Sequence, residues 1–520
     1  MIPFQVSDRM KIPRERPPPL PATGTSRAHA DGASAYRKIL AAFVARHYRV
    51  SVVLEVEVSQ QRNQAFLNQQ LALTGESALT DPPSLLDLED ALSPGRPISH
   101  LDRARELVRN GQFDLAKEAL VRTIATSPRS PDAPALLGAL YLVTGEAADA
   151  LPHLTRAADL QPTWAEVRRL CGEAAWRAGQ NELAATYLQS ALALKPLWPE
   201  VATRLGEIKL RLGDYQDGWC YYESRWDIES YHRPNVSLPL WAGTQPLFGK
   251  TIIVFSEGGL NELFQFVRYA DLLRKRGGRV IVTCPSDLCG LIETVPGVAG
   301  AVGFGAPLPP ADFHVPLMSL PWMFGTTLGT IPVERKYMKA DEGLCEEWRS
   351  RFATLDPLGT KRIGILWTGY PGENLPPERS VPFAQLHSLW SVPNVTWFSL
   401  AIGQATNDLR ARETPVIDLS PHLTSADHFA AAVNELDGVV AVDTAVAHIA
   451  GALGKPAYVL LNNCCHFRWL GTSGQSPWYP SLQLFRQEKQ GDWSVPISRL
   501  LRTLGGKEEA INPFAFSAGS

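Results

Sequence analysis

Four stretches decide the N-terminal fold: Arg109-Asn110-Gly111-Gln112-Phe113-Asp114-Leu115-Ala116, Val143-Thr144-Gly145-Glu146-Ala147-Ala148-Asp149-Ala150, Arg177-Ala178-Gly179-Gln180-Asn181-Glu182-Leu183-Ala184 and Arg211-Leu212-Gly213-Asp214-Tyr215-Gln216-Asp217-Gly218. Each carries a glycine, and Gly111, Gly145, Gly179 and Gly213 are spaced by a strict 34 residues. Three more series keep that interval: Gly138, Gly172 and Gly206; Pro128, Pro162 and Pro196; and the small residues Ala116, Ala150, Ala184 and Gly218. The first glycine lets the chain turn tightly between two antiparallel helices. The small residue five positions later lets those helices approach. Each proline ends the second helix of its pair, because it has no N–H to continue the ladder. Several series sharing one interval point to repetition rather than to a plain helical bundle.

Thirty-four residues is the period of the tetratricopeptide repeat (TPR). Residues 101–227 are therefore expected to form a TPR solenoid of three complete helix pairs and a shorter fourth, with no strand between 103 and 210. Upstream, Pro17-Pro18-Pro19 and the Ala22-Thr23-Gly24-Thr25-Ser26 run predict a disordered tail over 1–33, since such composition buries too little apolar surface to offset chain entropy. Helical spacing of Ile39, Phe43, Phe66, Leu67 and Leu71 predicts a helical segment over 34–100. A short tail is expected over 506–520.

A chain of 520 residues calls for several cores at roughly 150 residues per domain. With 50 Lys+Arg against 53 Asp+Glu there is no broad basic surface, and nucleic acid is excluded as a main partner. Seven cysteines without CxxC spacing form neither a disulfide framework nor a zinc site, and the adjacent Cys464 and Cys465 are expected as partly buried free thiols in a reducing compartment. Arg9, Lys11, Arg14 and Arg16 lead into no apolar segment, and no apolar run reaches the ~18 residues of a membrane span. The reading is a cytoplasmic protein with no transmembrane segment.

After Trp226 the pattern changes. Pro234, Pro239 and Pro246 mark a linker. Strands are then expected at 251–255, 279–284, near Ala301 and near Phe313, with helices over 263–276 and 288–295. A second series of strands is expected at 362–367, 396–400, 416–419, 439–442 and 457–461. Such alternation predicts parallel sheets covered by helices on both faces, as two Rossmann-like halves, 235–345 and 355–505, facing a cleft. The fold class is thus α/β with an all-α repeat domain.

Ligands of open parallel sheets bind beyond the carboxyl ends of the strands, and three such places hold candidate residues. In Ser256-Glu257-Gly258-Gly259-Leu260-Asn261-Glu262, Glu262 could serve as a general base on a hydroxyl or simply complement a helix dipole. In Asp443-Thr444-Ala445-Val446-Ala447-His448, Asp443 or Thr444 could cap a helix whose N–H groups, at Thr444 and Ala445, would hold a diphosphate. His448, one turn on, could face that ligand or hydrogen-bond a neighbouring strand. The third place is Trp367-Thr368-Gly369-Tyr370-Pro371-Gly372 followed by Arg379, whose guanidinium could pair with a phosphate bidentately. No Asp-x-Asp follows a predicted strand, so no metal ligands are expected.

Taken together, "VVAVDTAVAHIAGALGKPAYVLL" from Val439, then "FRWL", "SPWYP", "LFRQ" and "GDW", resemble the C-terminal half of the heptosyltransferase-like glycosyltransferases (family nine) that bacteria fuse behind TPR repeats. "QFVRYADLLRKRGGRV", "PLMSLPWMFGTTLGTIP" and "IGILWTGYP" are similar to the N-terminal half and the start of the second. The resemblance spans about Trp219 to Leu504. It implies a GT-B fold, a nucleotide-sugar donor in the second half near Asp443, Thr444, Ala445, His448, Arg379 and Thr368, and an acceptor facing the first half, with Glu262 as base. It further implies a metal-independent transferase with no cofactor besides the donor, and a protein acceptor recruited by the array, flagellin or a similar surface protein. Three positions depart from the family pattern: Asn261-Glu262 stand for Gly-Asp, Glu373 and Pro376 for a His and an Asp, and Ala401-Ile402 for Gln-Lys. Asn261-Glu262 and Ala401-Ile402 feed the alternative of a TPR scaffold or chaperone whose transferase-like domain only binds.

Overall fold

The computed structural model describes residues 99–369, 379–410, 414–471 and 473–506. The expected tail at 1–33, all of the expected tail at 506–520 except Gly506, all but the end of the expected helical segment, and Glu373 and Pro376 lie outside the described residues.

Eight helices open the described chain: α1 (Ser99–Arg109), α2 (Phe113–Thr126), α3 (Asp132–Val143), α4 (Ala147–Leu160), α5 (Ala165–Arg177), α6 (Asn181–Leu194), α7 (Pro199–Arg211) and the shorter α8 (Tyr215–Tyr222). The 34-residue glycines sit between the helices of each pair with φ of +70°, +84°, +78° and +86°, a region that a Cβ makes costly. In every one of these turns the glycine N–H donates to the carbonyl three residues back and the next N–H to the carbonyl five residues back, as in Gly145 to Leu142 and Glu146 to Tyr141. These are the two bonds of a Schellman cap, which satisfy carbonyls left over at the helix end. The mid-helix glycines act differently: a Cβ on Gly138 would lie 2.5 Å from Leu154, and one on Gly172 2.5 Å from Leu188. They let the paired helices close.

The last pair departs from the rest. Ala116, Leu137, Leu154 and Val167 belong to one core, and Ala184, Leu188, Val201 and Leu205 to a second. Leu210, Tyr215, Trp219 and Tyr222 instead belong to the core of the α/β region. The Trp219 ring meets Phe266 edge-on at 5.9 Å and Phe467 at 5.6 Å, and Trp478 Nε1 donates to the Tyr215 hydroxyl at 3.1 Å.

Two parallel sheets follow. The first holds β1 (Thr251–Phe255), β2 (Arg279–Cys284), β3 (Val298–Gly303) and β4 (Phe313–Pro316), in the order β3-β2-β1-β4. The second holds β5 (Lys361–Leu366), β6 (Val395–Ser399), β7 (Ile417–Asp418), β8 (Gly438–Val442), β9 (Ala457–Leu461) and β10 (Leu482–Arg486), in the order β10-β9-β8-β5-β6-β7. Counted from β5, that is the 3-2-1-4-5-6 order of a Rossmann sheet.

Three expectations need correction. The helix expected over 263–276 is α9 (Leu260–Phe266), a 3-10 turn at Val267–Tyr269, and α10 (Ala270–Lys275). There Arg268 takes the Gln265 carbonyl with Nε at 2.7 Å and reaches Trp478 O and the Tyr337 hydroxyl, so long-range bonds override helical continuity. The helix expected at 288–295 is confined to Cys289–Glu293 behind a 3-10 turn, and the strand expected at 416–419 is the two-residue edge strand β7. Strand β10 lies beyond the strands that the sequence pattern predicts. Among the described residues no helix is long and apolar enough to cross a membrane.

Candidate functional site

β5 and β8 lie side by side, with Leu366 opposite Ala441, yet their chains continue to opposite sides, β5 to β6 and β8 to β9. The connections diverge there, and beyond the carboxyl ends at such a point lies the usual ligand site of an open parallel sheet. Thr368 follows β5, and Asp443 and Thr444 follow β8, so these candidates fall at this switch point. The first sheet has its own between β1 and β4, where Phe255 faces Pro316.

Helix α11 (Ala445–Ala452) begins at the second switch point. Contrary to the expected cap, neither candidate side chain caps it. The Thr444 hydroxyl donates back to the Val442 carbonyl at 3.3 Å, and the Asp443 carboxylate accepts from Arg379 at 2.6 Å. Thr444, Ala445 and Val446 are all buried, so the helix starts inside the protein, and among the described residues no side chain takes its first N–H groups. Thr368 is half-buried, its hydroxyl 3.1 Å from that of Ser380, the neighbour of Arg379.

Two of the candidates, Glu262 and His448, bond to a residue that the sequence did not single out, Arg468, and the buried pair of Asp443 and Arg379 lies next to them. Arg468 forms an ion pair with Glu262 and donates to His448 Nε2 at 3.2 Å and, from Nε, to His466 Nδ1 at 2.8 Å. Because Arg468 has only donors to offer, His448 accepts at Nε2 and carries its proton on Nδ1, which donates to the Tyr479 hydroxyl at 2.8 Å. Asp443 Oδ1 stands 3.8 Å from His448 Nε2, too far for a hydrogen bond. The charges alternate, Glu262, Arg468, Asp443 and Arg379, and link the first half to the second. Arg468 lies in the quoted "FRWL", but a loop arginine carries no local signal of a partner more than two hundred residues away.

The electrostatics follow from burial and pairing. Burial opposes the charge of Glu262, but Arg468 and His466 outweigh it and hold the carboxyl at about 2. Glu262 Oε2 also accepts from Gly259 N at 2.8 Å, so it caps α9 as well. Asp443 is likewise buried, and Arg379 holds it well below the usual carboxylate range. Burial and Arg468 push His448 down to about 4 against the pull of Asp443. His466 is pushed down by burial and Arg468 as well. Both imidazoles are neutral near pH 7.

Arg468 sits on a constrained loop. Leu470 holds φ 60°, ψ 177°, a region otherwise open to glycine that costs about 1–3 kcal/mol and persists only where the surroundings impose it. Arg486 imposes part of it, donating to the Trp469 carbonyl and to Cys465 Sγ at 2.8 Å. Cys464 and Cys465 are free thiols.

At the first switch point sequence reasoning missed Arg225. It follows α8, is 1% exposed, and forks onto Glu257 with Nε at 3.1 Å and Nη2 at 2.9 Å. Arg225 also donates to Glu223 at 2.6 Å, Ser319 at 2.9 Å and the Tyr222 carbonyl at 3.2 Å, and Glu257 also accepts from Met318 N and the Tyr231 hydroxyl. Every oxygen of Glu257 is engaged, so this cluster fastens the end of the array to β1 and β4. Burial raises the Glu223 carboxyl despite Arg225.

The fold and these sites define a repeat array joined to two parallel-sheet α/β units. Residues 101–163 and 172–226 match the family model for the tetratricopeptide repeat, and the helical part of this chain is a TPR array. Among curated proteins the chain is similar to Protein FlbA of Caulobacter vibrioides, 26% identical over 321 residues, which is 55% of this chain and 52% of FlbA. The chain thus spans about half the length of that relative. Among solved structures, MamA protein aligns at 25% identity over 24% of this chain and 68% of its own, with a TM-score of 0.24. A glycosyl transferase family 9 protein from Veillonella parvula aligns at 13% identity over 51% of this chain and 100% of its own, with a TM-score of 0.38.

Proposed function

We propose that this chain is a glycosyltransferase that moves a sugar from a nucleotide-sugar donor to a protein acceptor held by the TPR array, in a GT-B arrangement of its two α/β halves. The carrying observation is the buried, uncapped start of α11 at the switch point of a Rossmann-ordered sheet. Buried N–H groups without partners are costly, and the helix dipole favours an anion there. The donor diphosphate sits on the N–H groups of Thr444 and Ala445, with Arg379 and the Thr368 hydroxyl nearby and neutral His448 beneath.

Glu262 is the proposed base on the acceptor hydroxyl. A carboxylate held at about 2 by Arg468 has little appetite for a proton, because a base works best with its pKa near the working pH. An arriving diphosphate competes for Arg468, and Glu262, still buried, then gains proton affinity. Donor binding thereby activates the base. The same pairing favours the second reading, a domain that binds donor without turning it over, in which Arg468 never leaves Glu262. A flagellin-type surface protein as acceptor rests on the sequence resemblance.

Titrating the full chain calorimetrically with UDP, GDP, ADP and CDP tests the site. One of them is expected to bind, with Thr444→Pro and Asp443→Lys weakening it. Equal binding by both variants would place the nucleotide elsewhere. Release of sugar from the matching nucleotide-sugar in water, lost in Glu262→Gln, separates transferase from binder.

A further inference from the structure

We infer that Arg211, the last residue of α7, is a positioning residue for Arg468, so that the TPR array and the donor site are mechanically coupled. The functional meaning of that coupling rests on the transferase reading above; the coupling itself does not. Arg211 is buried and crosses from the array into the second α/β half, where it donates to the carbonyls of Cys465 and Asn463. One repeat earlier the contact runs the other way: Cys464 Sγ donates to the Arg177 carbonyl at the end of α5, at 3.1 Å. Further along the same loop, a Cβ on Gly471 would lie 3.7 Å from Asn181 Nδ2 and 3.8 Å from the Arg211 carbonyl. The segment 463–471 therefore leans on the equivalent turns of two successive repeats.

Its other side is held by Arg486, which grips Cys465 and Trp469. Arg468 projects between these clamps to Glu262 and His448. The positive φ of Leu470 shows that the loop does not keep its shape by its own propensity; the two arginines keep it. Arg211 is planar and donates to two carbonyls at once, so it fixes orientation as well as distance. Arg468 lies three residues beyond Cys465. A protein seated on the array that shifts the end of α7 therefore shifts Arg468 against Glu262, and with it the proton affinity of Glu262. The array is a sensor of its own occupancy as well as a recruiting surface.

The test is backbone hydrogen exchange on the full chain in Arg211→Ala and Arg211→Lys, read at segments 462–471 and 256–262, with β8 as the unperturbed reference. Arg211→Ala is expected to speed exchange in 462–471 on the order of tenfold. Segment 256–262, which Arg211 does not touch but whose Gly259 N–H is held by Glu262, loosens with it while β8 stays protected. Arg211→Lys, with the charge but not the planar fork, falls between parent and Ala. An anchor that serves stability alone would leave 256–262 as in the parent, and that result overturns the inference, as does parental exchange in 462–471. Should Arg211→Ala not fold, the Lys variant decides by the same readout. A parent chain that binds none of UDP, GDP, ADP or CDP would count against the transferase reading and leave the exchange result to judge the coupling.

Discussion

Replacing Arg468 by Met should be the most damaging single change in the interdomain network. Its size follows from the carboxylate that it abandons. Pairing holds Glu262 at about 2 against an ordinary 4.5, in spite of burial, a difference on the order of 3 kcal/mol. The folded-state value is depressed, so this stability is present above about pH 4.5 and is lost as the pH falls through that value toward 2. Breaking one side of a buried pair costs about 3–5 kcal/mol by independent reckoning, in agreement. Denaturant unfolding at pH 7, followed by tryptophan fluorescence, should show Arg468→Met losing that much. Glu262→Gln, which strands the arginine instead, should lose a comparable amount. The double variant should recover at least about 2 kcal/mol relative to the sum, because neither charge is then left buried alone. In Arg468→Met the decline between pH 4.5 and 2 should also shrink, as only His466 and the Gly259 N–H then oppose the effect of burial on Glu262. Additivity of the two single changes within about 0.5 kcal/mol would refute the pairing as an energetic unit.

Three further outcomes are expected. His448 is neutral in the fold with its pKa lowered to about 4 from 6.5, so its stabilising share is complete above pH 6.5 and declines below it; between pH 7.5 and 5 the loss should be about 2 kcal/mol, and His448→Asn should flatten that slope in unfolding midpoints measured across the range. Gly172→Ala would put a Cβ 2.5 Å from Leu188 and should cost about 1–3 kcal/mol by overpacking, read as a lower melting temperature of the array. Deleting residues 101–194 should leave a cooperative melt of the α/β region, whereas deleting 101–226 should abolish it, because Tyr215, Trp219 and Tyr222 are part of that core; equal melting of the two would show that α8 is dispensable.

What the sequence disclosed and what it hid divide along a physical line. The repeat was legible because a 34-residue period is written locally: one glycine at positive φ ends a helix by bonds to carbonyls three and five residues back. Strands β1, β2 and β9 were legible as short apolar runs. The residues around α11 were legible because a strand end and a helix start adjoin in the chain. Arg468 and Glu262 are 206 residues apart and Arg211 and Cys465 254 apart, and no local pattern announces such partners. The break after Phe266 was hidden for the same reason, since Trp478 and Tyr337 dictate it. The integration of α8 was hidden differently, because a signal existed and the period masked it. Gly213 and Gly218 keep the repeat register, yet Tyr215, Trp219 and Tyr222 put an aromatic stripe on one helical face that no earlier second helix carries. Repeats in a solenoid touch only their neighbours, so a repeat whose free face is aromatic needs something other than a repeat to cover it. Here Phe266 from the first half and Phe467 from the second cover it together, which makes the last TPR pair a shared wall of both halves and gives any movement of the array a direct path to the site.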